Sequence, residues 1–513
     1  MLGRMSQPSF FSSKAVRLTA LLLLFAAALA IRLYDLTDPP LDFHPTRQLL
    51  SAIKARALYF QTQPNGYSTD ILETGIRQAK LKAQVEPVIL ERLAAYTYRF
   101  TGEQLWVGRI YSSLFWLVGG VFLFLLVRGL LSFDAAFFST AYYLLFPYAI
   151  AASRSFQPDP LMVMLIIAFW WAFAKWSALT PNPSPRGRGE AAVLAGLLGG
   201  AAILVKFSAA FFVIGAALGL GLSRFSWREL LRNGQVWVMA ALGALPGLIY
   251  LIYGIFVEGG LENQFSGRFV PELLFNPLNY LQWMVKVDLA AGGLFVMLGL
   301  LGFFLTDDKR LRSFLFGLWS AYVLYGLFFN YHVATHDYYH LPFIPIVAVS
   351  LGPLGGWFFA GLSGSTVQGA RRSAAALILL LGLVMVVWNV RNQMKAEDYR
   401  PEAEMWREVA ALIEDESVIA LIQDYGSSLE YWGLRTVPIW PYTGDPVFSR
   451  IQGKESRFEE LFSDYSSRKE FFLVTDFDEL SRQTQLRERL NNYPVYMEGD
   501  GFVIFDLRNT SGN

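Results

Sequence analysis

Ionisable side chains interrupt otherwise apolar sequence at a few places, and their types suit chemistry on a substrate that carries a phosphate. A carboxylate can act as a base on a hydroxyl, whereas lysine and arginine can hold a phosphate. Burying an ionisable side chain in a bilayer costs about 2.5–3.5 kcal/mol, so each is a functional candidate by default. The candidates are Asp42, His44, Glu86, Arg47, Arg154, Asp159, Lys206, His336, Asp337, Tyr339 and His340.

Several candidates also have a purely structural interpretation. Asp159 suits a helix N-cap, and Arg154 suits an anchor whose side chain reaches the membrane interface. Lys206 interrupts one apolar stretch, 191–223, which is either one long helix or two short ones with a break. Its side chain either reaches the interface or contacts a phosphate. A chain break beside Lys206 favours the phosphate, because it would expose backbone groups to an anion. Tyr338 and Tyr339 are typical of the aromatic belt at a membrane surface.

The chain has four histidines, and three of them lie close together. His332, His336 and His340 recur at i, i+4 and i+8, a spacing that could ligate a metal on a helix. Pro342 and the short length of the segment argue against a long helix, which favours interfacial hydrogen bonding. We therefore assign no metal ligand. A divalent cation is compatible with the site but not required by it.

The elements that must position these residues are membrane spans. The 513 residues are 54% hydrophobic and 17% charged, and the mean hydropathy is +0.35. About 20 apolar residues cross a bilayer, and charge-free runs occur at 161–174, 191–205 and 236–257. A soluble enzyme, a disordered chain, a collagen and a transmembrane β-barrel are excluded. The apolar run 17–30 continues to Tyr34 without a clear cleavage site, so we interpret it as a retained first span rather than a signal peptide.

Charge and cysteine content exclude further classes of protein. The net charge of +1 gives no basic field for nucleic acid. The chain has no cysteine, so disulfides, thiolate nucleophiles and cysteine-ligated zinc are all excluded.

Apolar length and the distribution of Lys and Arg predict an α-helical polytopic membrane protein with about 11 transmembrane helices. Basic residues hold the N-terminus on the cytoplasmic side, and the odd number of spans places the C-terminus outside. The prediction is a multi-pass protein of the plasma (inner) membrane whose candidate residues gather at the extracytoplasmic face. The predicted spans are 15–33, 107–127, 135–153, 160–179, 191–206, 207–223, 236–257, 289–305, 313–329, 341–361 and 373–390.

Two domains follow from this topology. Residues 1–391 form the transmembrane domain, including an extracytoplasmic loop at 34–106, and residues 392–513 form a small extracytoplasmic α/β domain. Its pattern predicts helices at 402–413 and 477–490 and strands at 418–422, 471–474 and 502–505. Nothing in this domain has a catalytic pattern.

Taken together, an acid, several histidines and two or three cations facing one compartment beside lipid suit a substrate with a phosphate head and a lipid tail. At these residues the chain resembles the polyprenyl-phosphate-dependent membrane glycosyltransferases of the GT-C type. It is similar to glycosyltransferase family 39, which includes protein O-mannosyltransferases and the aminoarabinose transferase that modifies lipid A. The resemblance covers about residues 1–390 and, more loosely, the C-terminal domain. The matching segments are Arg32–Tyr34, Pro39–Leu41, Glu86–Tyr98, Gly102–Arg109, Pro147–Asp159, Leu204–Lys206 and His336–Pro342.

The resemblance implies direct transfer of a sugar from a polyprenyl phosphate to an acceptor hydroxyl. In that mechanism Asp42 is the base, and Asp159 and Glu86 orient the acceptor or the base. Positively charged side chains contact the phosphate and the histidine segment lines the site, which assigns Arg47, Arg154 and Lys206 to the phosphate, and His44, His336, Asp337, Tyr339 and His340 to the substrate. Many relatives carry an Asp-Glu pair in the first loop, where this chain has Thr46 and Arg47. Asp42 then takes the place of the usual base.

Other functions remain open at this point. A transporter or flippase would also combine many spans with a few buried charges, although carriers place those charges near the midplane. An oligosaccharide ligase with a lipid-linked donor is a close alternative, and the Thr46-Arg47 departure also fits an inactive scaffold. The sequence names neither the sugar nor the acceptor, which could be a lipid, a protein or a glycan.

Overall fold

The computed structural model describes residues 10–11, 13–82, 86–178, 185–257, 259, 261, 268–363, 368–414, 417–445 and 455–508. The chain divides into two compact units. The first unit comprises residues 1–36, 83–90 and 106–396, and the second comprises residues 37–82, 91–105 and 397–513. Most of the predicted loop 34–106 therefore groups with the C-terminal residues, whereas the sequence-based division placed it with the transmembrane domain.

Helices make up most of the described chain. Before residue 260 they are α1 (Lys14–Leu33), α2 (Pro45–Phe60), α3 (Thr69–Leu81), α4 (Ile89–Thr101), α5 (Leu105–Leu130), α6 (Phe133–Leu145), α7 (Pro147–Ser153), α8 (Asp159–Ala178), α9 (Pro185–Val205), α10 (Ala209–Leu222), α11 (Trp227–Arg232) and α12 (Gly234–Phe256). They continue with α13 (Pro277–Ala291), α14 (Gly293–Leu305), α15 (Lys309–Phe328), α16 (Asn330–Thr335), α17 (Phe343–Ser363), α18 (Gln368–Met394), α19 (Arg400–Leu412), α20 (Ser427–Gly433), α21 (Glu455–Ser466), α22 (Phe477–Arg482) and α23 (Thr484–Leu490). Short 3₁₀ helices occur at Pro271–Phe275, Asp337–His340 and Gln423–Gly426.

The number of spans is lower than the predicted eleven. Among the described residues, eight helices are long and apolar enough to cross a membrane, and ten spans result if two bent helix pairs each count as one. The pairs are α6 with α7, bent by 61°, and α13 with α14, bent by 89°. Pro147 disfavours a helical conformation at the residue before it, and Gly292 bends the second pair with a φ of +72°. The predicted span 207–223 is α10, which has only 14 residues.

Close helix packing fixes the break between α9 and α10, where Lys206 lies. Helix α9 packs on α12, and a Cβ added to Gly200 would lie 2.2 Å from the carbonyl oxygen of Leu242. Helix α10 packs on α15, and a Cβ added to Gly317 would lie 2.2 Å from the carbonyl oxygen of Gly215. Small residues allow membrane helices to approach this closely. Each helix that flanks Lys206 is therefore held by its own glycine contact.

The second unit contains a four-stranded sheet in the order β1-β2-β4-β3. The strands are β1 (Val418–Leu421), β2 (Phe471–Val474), β3 (Val495–Gly499) and β4 (Phe502–Asp506). Strands β1 and β2 are parallel, and the other two pairings are antiparallel. Alternate residues of β1 face opposite sides of the sheet: Val418 packs with Trp406, and Ile419 packs with Trp440. Helices therefore cover both faces of the sheet.

Three predicted strands are confirmed, but two features of this unit differ from the prediction. The predicted helix 477–490 is two helices separated at Gln483. The Gln483 amide accepts from Trp440 Nε1 at 2.7 Å and donates to the Pro441 carbonyl at 3.0 Å, contacts that hold it in a non-helical conformation. Strand β3 was not predicted, because nearly all of its residues are exposed and it shows no apolar alternation.

Segments of the predicted loop 34–106 pack inside the second unit through charged residues. Arg56 Nε donates to Glu103 Oε1 at 2.7 Å, and the Arg56 guanidinium lies 3.9 Å from the ring centre of Tyr431. Lys82 pairs with Glu430. These contacts join Arg56, Lys82 and Glu103 to the C-terminal sequence. Residues 37–82 and 91–105 therefore form one folded unit with the C-terminal residues.

Candidate active site

Lys206 and two carboxylates form a charged cluster within the first unit. Lys206 Nζ lies 2.8 Å from Asp159 Oδ1 and 3.9 Å from Glu86 Oε1. Asp159 is 1% exposed and Lys206 is 9% exposed. Tyr338 and Tyr339 place their ring centres 5.4 and 5.1 Å from the ammonium group, within cation–π range. The structure thus brings together residues from four distant parts of the sequence.

The helix break at Lys206 contributes the lysine side chain, because the backbone N–H and carbonyl of this residue are both hydrogen-bonded. The Lys206 N–H donates to the Ala202 carbonyl at 3.1 Å, and its own carbonyl accepts from Ala209 N–H at 2.9 Å. The exposed backbone groups expected from the sequence are therefore engaged at this residue. A cavity of about 30 Å³ beside it is lined by Glu86, Pro87 and Tyr250, among others. That volume holds water rather than a sugar.

Asp159 begins α8 at the end of a buried turn, residues 154–158. Pro158 and Pro160 explain its position, because each disfavours helix at the preceding residue while suiting a helix start. Arg154 Nη2 donates to the carbonyl of Asp35 at 3.0 Å, and Nη1 contacts Met394 Sδ at 2.8 Å. Arg154 thus ties the turn to the ends of α1 and α18.

The sequence argument overlooked Arg32 as a second support of this turn. Its side chain is fully buried, and Nε donates to Ser153 Oγ at 2.7 Å. The other two nitrogens donate to the carbonyls of Ala28 and Leu144, each at 2.9 Å. In the resemblance, Arg32 is only one residue of the matching segment Arg32–Tyr34. A lone arginine at the end of a charge-free run was the available signal.

The histidine segment separates into two environments. His336 is partly exposed, and Nδ1 lies 2.7 Å from Thr335 Oγ1. His332 and Tyr339 lie beside it, with ring centres 5.8 and 6.0 Å from that of His336. Burial, followed by the charge of Arg268, lowers the pKa of His332 to about 4, so it is neutral at pH 7. Asp337 opens the 3₁₀ helix that connects His336 to Tyr339.

His340 is fully buried, and both of its ring nitrogens are hydrogen-bonded to the protein. Nε2 donates to the Val333 carbonyl at 2.8 Å, and Nδ1 accepts from the Tyr322 hydroxyl at 2.7 Å. Trp283 Nε1 donates to the same hydroxyl at 2.9 Å. Burial lowers the pKa of His340 to about 4, consistent with a neutral ring. Neither ring nitrogen is therefore available to a substrate in this arrangement.

Three candidates from the first loop belong to the second unit. Asp42 is exposed and precedes α2 by three residues. His44 caps α2 with a φ of +45°, an uncommon conformation for a residue other than glycine. Thr46 Oγ1 donates to Asp424 Oδ1 at 3.5 Å, and Arg47 lies beside it on the first turn of α2. Burial, with repulsion from Asp476, raises the pKa of Asp424.

The described residues contain no group of three or more His, Cys, Asp or Glu side chains that could hold a metal ion. Where the structure is described, the three histidines at i, i+4 and i+8 therefore do not form a metal site. Their spacing fails because α16 ends at Thr335, so they do not share one helical face.

The comparisons with known proteins agree with this fold. Residues 85–253 match a family described as dolichyl-phosphate-mannose-protein mannosyltransferase. The matched segment contains Glu86, Arg154, Asp159 and Lys206. No curated protein matches the sequence significantly.

ArnT from Cupriavidus metallidurans in the apo state is similar in structure, with a TM-score of 0.58 and 16% identity over 95% of this chain and 98% of that chain. The chain has an ArnT-like fold. The same ArnT bound to undecaprenyl phosphate gives a TM-score of 0.54 and 15% identity, covering 94% of this chain and 97% of the other. The apo oligosaccharyltransferase of Archaeoglobus fulgidus gives 0.52 and 12%, covering 90% and 70%. The resemblance to GT-C glycosyltransferases is thus confirmed, and with it the predicted enzyme class.

Proposed function

We propose that the protein transfers a sugar from a polyprenyl-phosphate-linked donor to an acceptor hydroxyl at the extracytoplasmic face of the plasma (inner) membrane. The observation that carries this proposal is the buried cluster of Lys206, Asp159 and Glu86. It lies in the segment that matches the mannosyltransferase family, at a break between two apolar helices. The similar ArnT structure bound to undecaprenyl phosphate supports a donor of this class.

The proposed reaction is a single displacement at the anomeric carbon. A carboxylate takes the proton of the acceptor hydroxyl, whose oxygen attacks the anomeric carbon as the bond to the phosphate oxygen breaks. The electron pair of that bond leaves with the phosphate, and nearby cations stabilise the charge that develops there. One displacement inverts the configuration of the sugar. Because the polyprenyl phosphate itself is the leaving group, the reaction requires no nucleotide-linked sugar.

The residues keep the roles that the resemblance implies. Asp42 is the proposed base, and its exposure leaves it accessible to an acceptor. Lys206 lies between two carboxylates, so phosphate binding calls for further positive charge. Arg154 of the same unit is a proposed source of that charge, and Arg47 keeps the phosphate-binding role that the resemblance implies. Asp159 and Glu86 hold the Lys206 ammonium and orient the acceptor.

The histidine segment keeps its proposed substrate-binding role. His336, Asp337 and Tyr339 lie in the short segment that packs beside Lys206, and they are proposed to contact the sugar or the phosphate. His44, in the second unit, keeps the substrate-binding role that the resemblance implies. His340 contributes by holding this segment in place through Tyr322 and Val333.

Native mass spectrometry of the gently purified protein tests the donor class. Wild type is expected to retain a polyprenyl phosphate, and Lys206→Ala is expected to lose it. Lys175→Ala is the matched control, because Lys175 is exposed on α8, where its ammonium lies 4.2 Å from the centre of the Trp171 ring. If only bulk phospholipid binds even after undecaprenyl phosphate is added, the proposal fails and a transporter becomes the better explanation.

Loss of sugar from an added donor lipid, followed in membranes, tests the site. Asp42→Asn and Asp159→Asn are each expected to abolish transfer while leaving lipid binding measurable. Transfer that survives both substitutions would show that the base and the orienting carboxylate have been assigned to the wrong residues.

A further inference from the structure

The turn that precedes Asp159 contains a buried amide that the proposed mechanism does not use. Gln157 is fully buried, with 0% exposure. Among the described residues, neither its side-chain oxygen nor its side-chain nitrogen has a hydrogen-bond partner. Asp159 Oδ2, two residues later, is also buried without one. Buried amides are almost always paired, because an unpaired one loses its bonds to water without replacement.

The neighbours of Gln157 show that this is not a loosely packed turn. Ser153 Oγ accepts from Arg32, and Ser155 Oγ donates to the Ala152 carbonyl at 2.6 Å. Phe156 packs on α5, where a Cβ added to Gly108 would lie 2.2 Å from its ring. The backbone N–H of Gln157 itself donates to the Ser155 carbonyl at 2.9 Å. The turn is thus held on both sides. It fixes the position of the Gln157 side-chain amide, which has no hydrogen-bond partner among the described residues.

The unpaired atoms indicate the chemistry of the group that would bind them. Gln157 offers two N–H donors and one acceptor, and Asp159 Oδ2 offers a second acceptor. A phosphate only accepts, so it would satisfy the amide nitrogen and leave both acceptors unpaired. Neighbouring sugar hydroxyls both donate and accept, and they can satisfy all of these atoms.

We propose that Gln157, together with Asp159 Oδ2, forms a binding subsite for the hydroxyl groups of a sugar. The proposal rests on the function proposed above. It adds that the buried turn binds the hydroxyl groups of the sugar, while the cations bind the phosphate. The sugar is either the one on the donor lipid or one on a glycan acceptor, since both present the same hydroxyl chemistry.

Binding of undecaprenyl phosphate and of undecaprenyl-phosphate mannose, titrated by native mass spectrometry, tests the donor as the source. Wild type is expected to bind the mannosyl lipid more tightly than the bare lipid. Gln157→Met is expected to weaken binding of the mannosyl lipid about tenfold and to leave binding of the bare lipid unchanged. If no mannosyl preference exists, the same comparison is made with the glucosyl and aminoarabinosyl lipids.

A stability measurement separates this role from a structural one. Gln48 is the matched control, because it is equally buried and its amide donates to the carbonyls of Pro40 and Phe43 at 3.1 and 2.6 Å. Gln48→Met is expected to lower the Tm of the unliganded protein, whereas Gln157→Met leaves it unchanged or raises it. If Gln157→Met does not fold, Gln157→Asn keeps the amide, shortens its reach and should reduce the sugar preference.

The outcomes distinguish the two sources and the two proposals. An unchanged donor preference with a higher KM for a glycan acceptor assigns the subsite to the acceptor. If Gln157→Met changes neither, or lowers the Tm as Gln48→Met does, the subsite proposal is overturned although the transferase stands. If wild type binds none of the polyprenyl lipids, the proposed function itself has failed.

Discussion

Replacing Lys206 with methionine is expected to destabilise the first unit by about 3–5 kcal/mol, because it leaves a buried carboxylate without its partner. Asp159 is 1% exposed, and its Oδ1 lies 2.8 Å from the lysine ammonium. Glu86 is more exposed than Asp159 and lies 3.9 Å from the ammonium. Removing the lysine therefore costs less free energy at Glu86 than at Asp159. The magnitude therefore comes from Asp159.

The double-mutant cycle with Asp159→Asn isolates that contribution. The asparagine carries no charge, so Lys206→Met and Asp159→Asn together are expected to cost much less than the sum of the single changes. A coupling energy of about 2–3 kcal/mol is expected for a buried pair in direct contact. Transfer activity is expected to be absent in all three variants, because each lacks at least one charged group of the cluster; the double variant regains part of the lost stability without regaining activity.

Unfolding in mixtures of sodium dodecyl sulfate and a mild detergent, followed by tryptophan fluorescence, gives the free energies. The control is the more exposed pair of Arg489 and Glu459, which lie 3.7 Å apart in the second unit with side chains 37% and 58% exposed, and for which a coupling of about 0–1 kcal/mol is expected. Additive effects of Lys206→Met and Asp159→Asn, no larger than those of the control pair, would refute the view that burial makes this cluster strongly coupled.

Three further predictions concern packing, an ion pair and pH. Gly317→Val is expected to separate α10 from α15 and to abolish both folding yield and lipid binding, because its Cβ would meet the Gly215 carbonyl at 2.2 Å. Gly361→Val is the control and should be tolerated, because a Cβ there has no atom within 4 Å. Arg56→Met is expected to cost the second unit about 3–5 kcal/mol, and adding Glu103→Gln should recover part of it in thermal unfolding. Burial and the charge of Asp424 raise the pKa of Glu402, so its protonated form stabilises the fold. That contribution is present below the pKa of the unfolded chain and is lost as pH rises through the folded value; Glu402→Gln should flatten this part of the stability profile, and an unchanged profile would contradict it.

The length of apolar runs predicted most of the spans, because crossing a bilayer requires about 20 apolar residues and such a run is visible in a single sequence. At 191–223 the pattern left open one long helix or two short ones with a break, and the structure has two helices, the second only 14 residues long. Strand β3 was missed for the opposite reason: its exposed residues carry no signal of burial. The sequence pattern therefore predicts a membrane span, whose residues are all apolar, better than an exposed strand such as β3.

Long-range partners were the part that the sequence could not supply. Glu86, Asp159 and Lys206 were singled out because they are ionisable and match a family, but their spacing does not indicate that they meet. The pairing of Arg56 with Glu103 was not anticipated, since each resembles an ordinary surface residue. Gln157 was passed over because burial without a hydrogen bond is visible only in three dimensions.

The short helix α10 creates a hydrophobic mismatch next to the proposed site. Its 14 residues span about 21 Å, against about 30 Å of hydrocarbon in a typical bilayer. Arg224 and Arg228 follow its far end and suit the opposite headgroup layer. If that end lies at the opposite headgroups, the start of α10, three residues after Lys206, falls about 9 Å short of the nearer headgroups unless the bilayer thins. Acyl-chain length would then set how far a polyprenyl phosphate must descend to reach the proposed site.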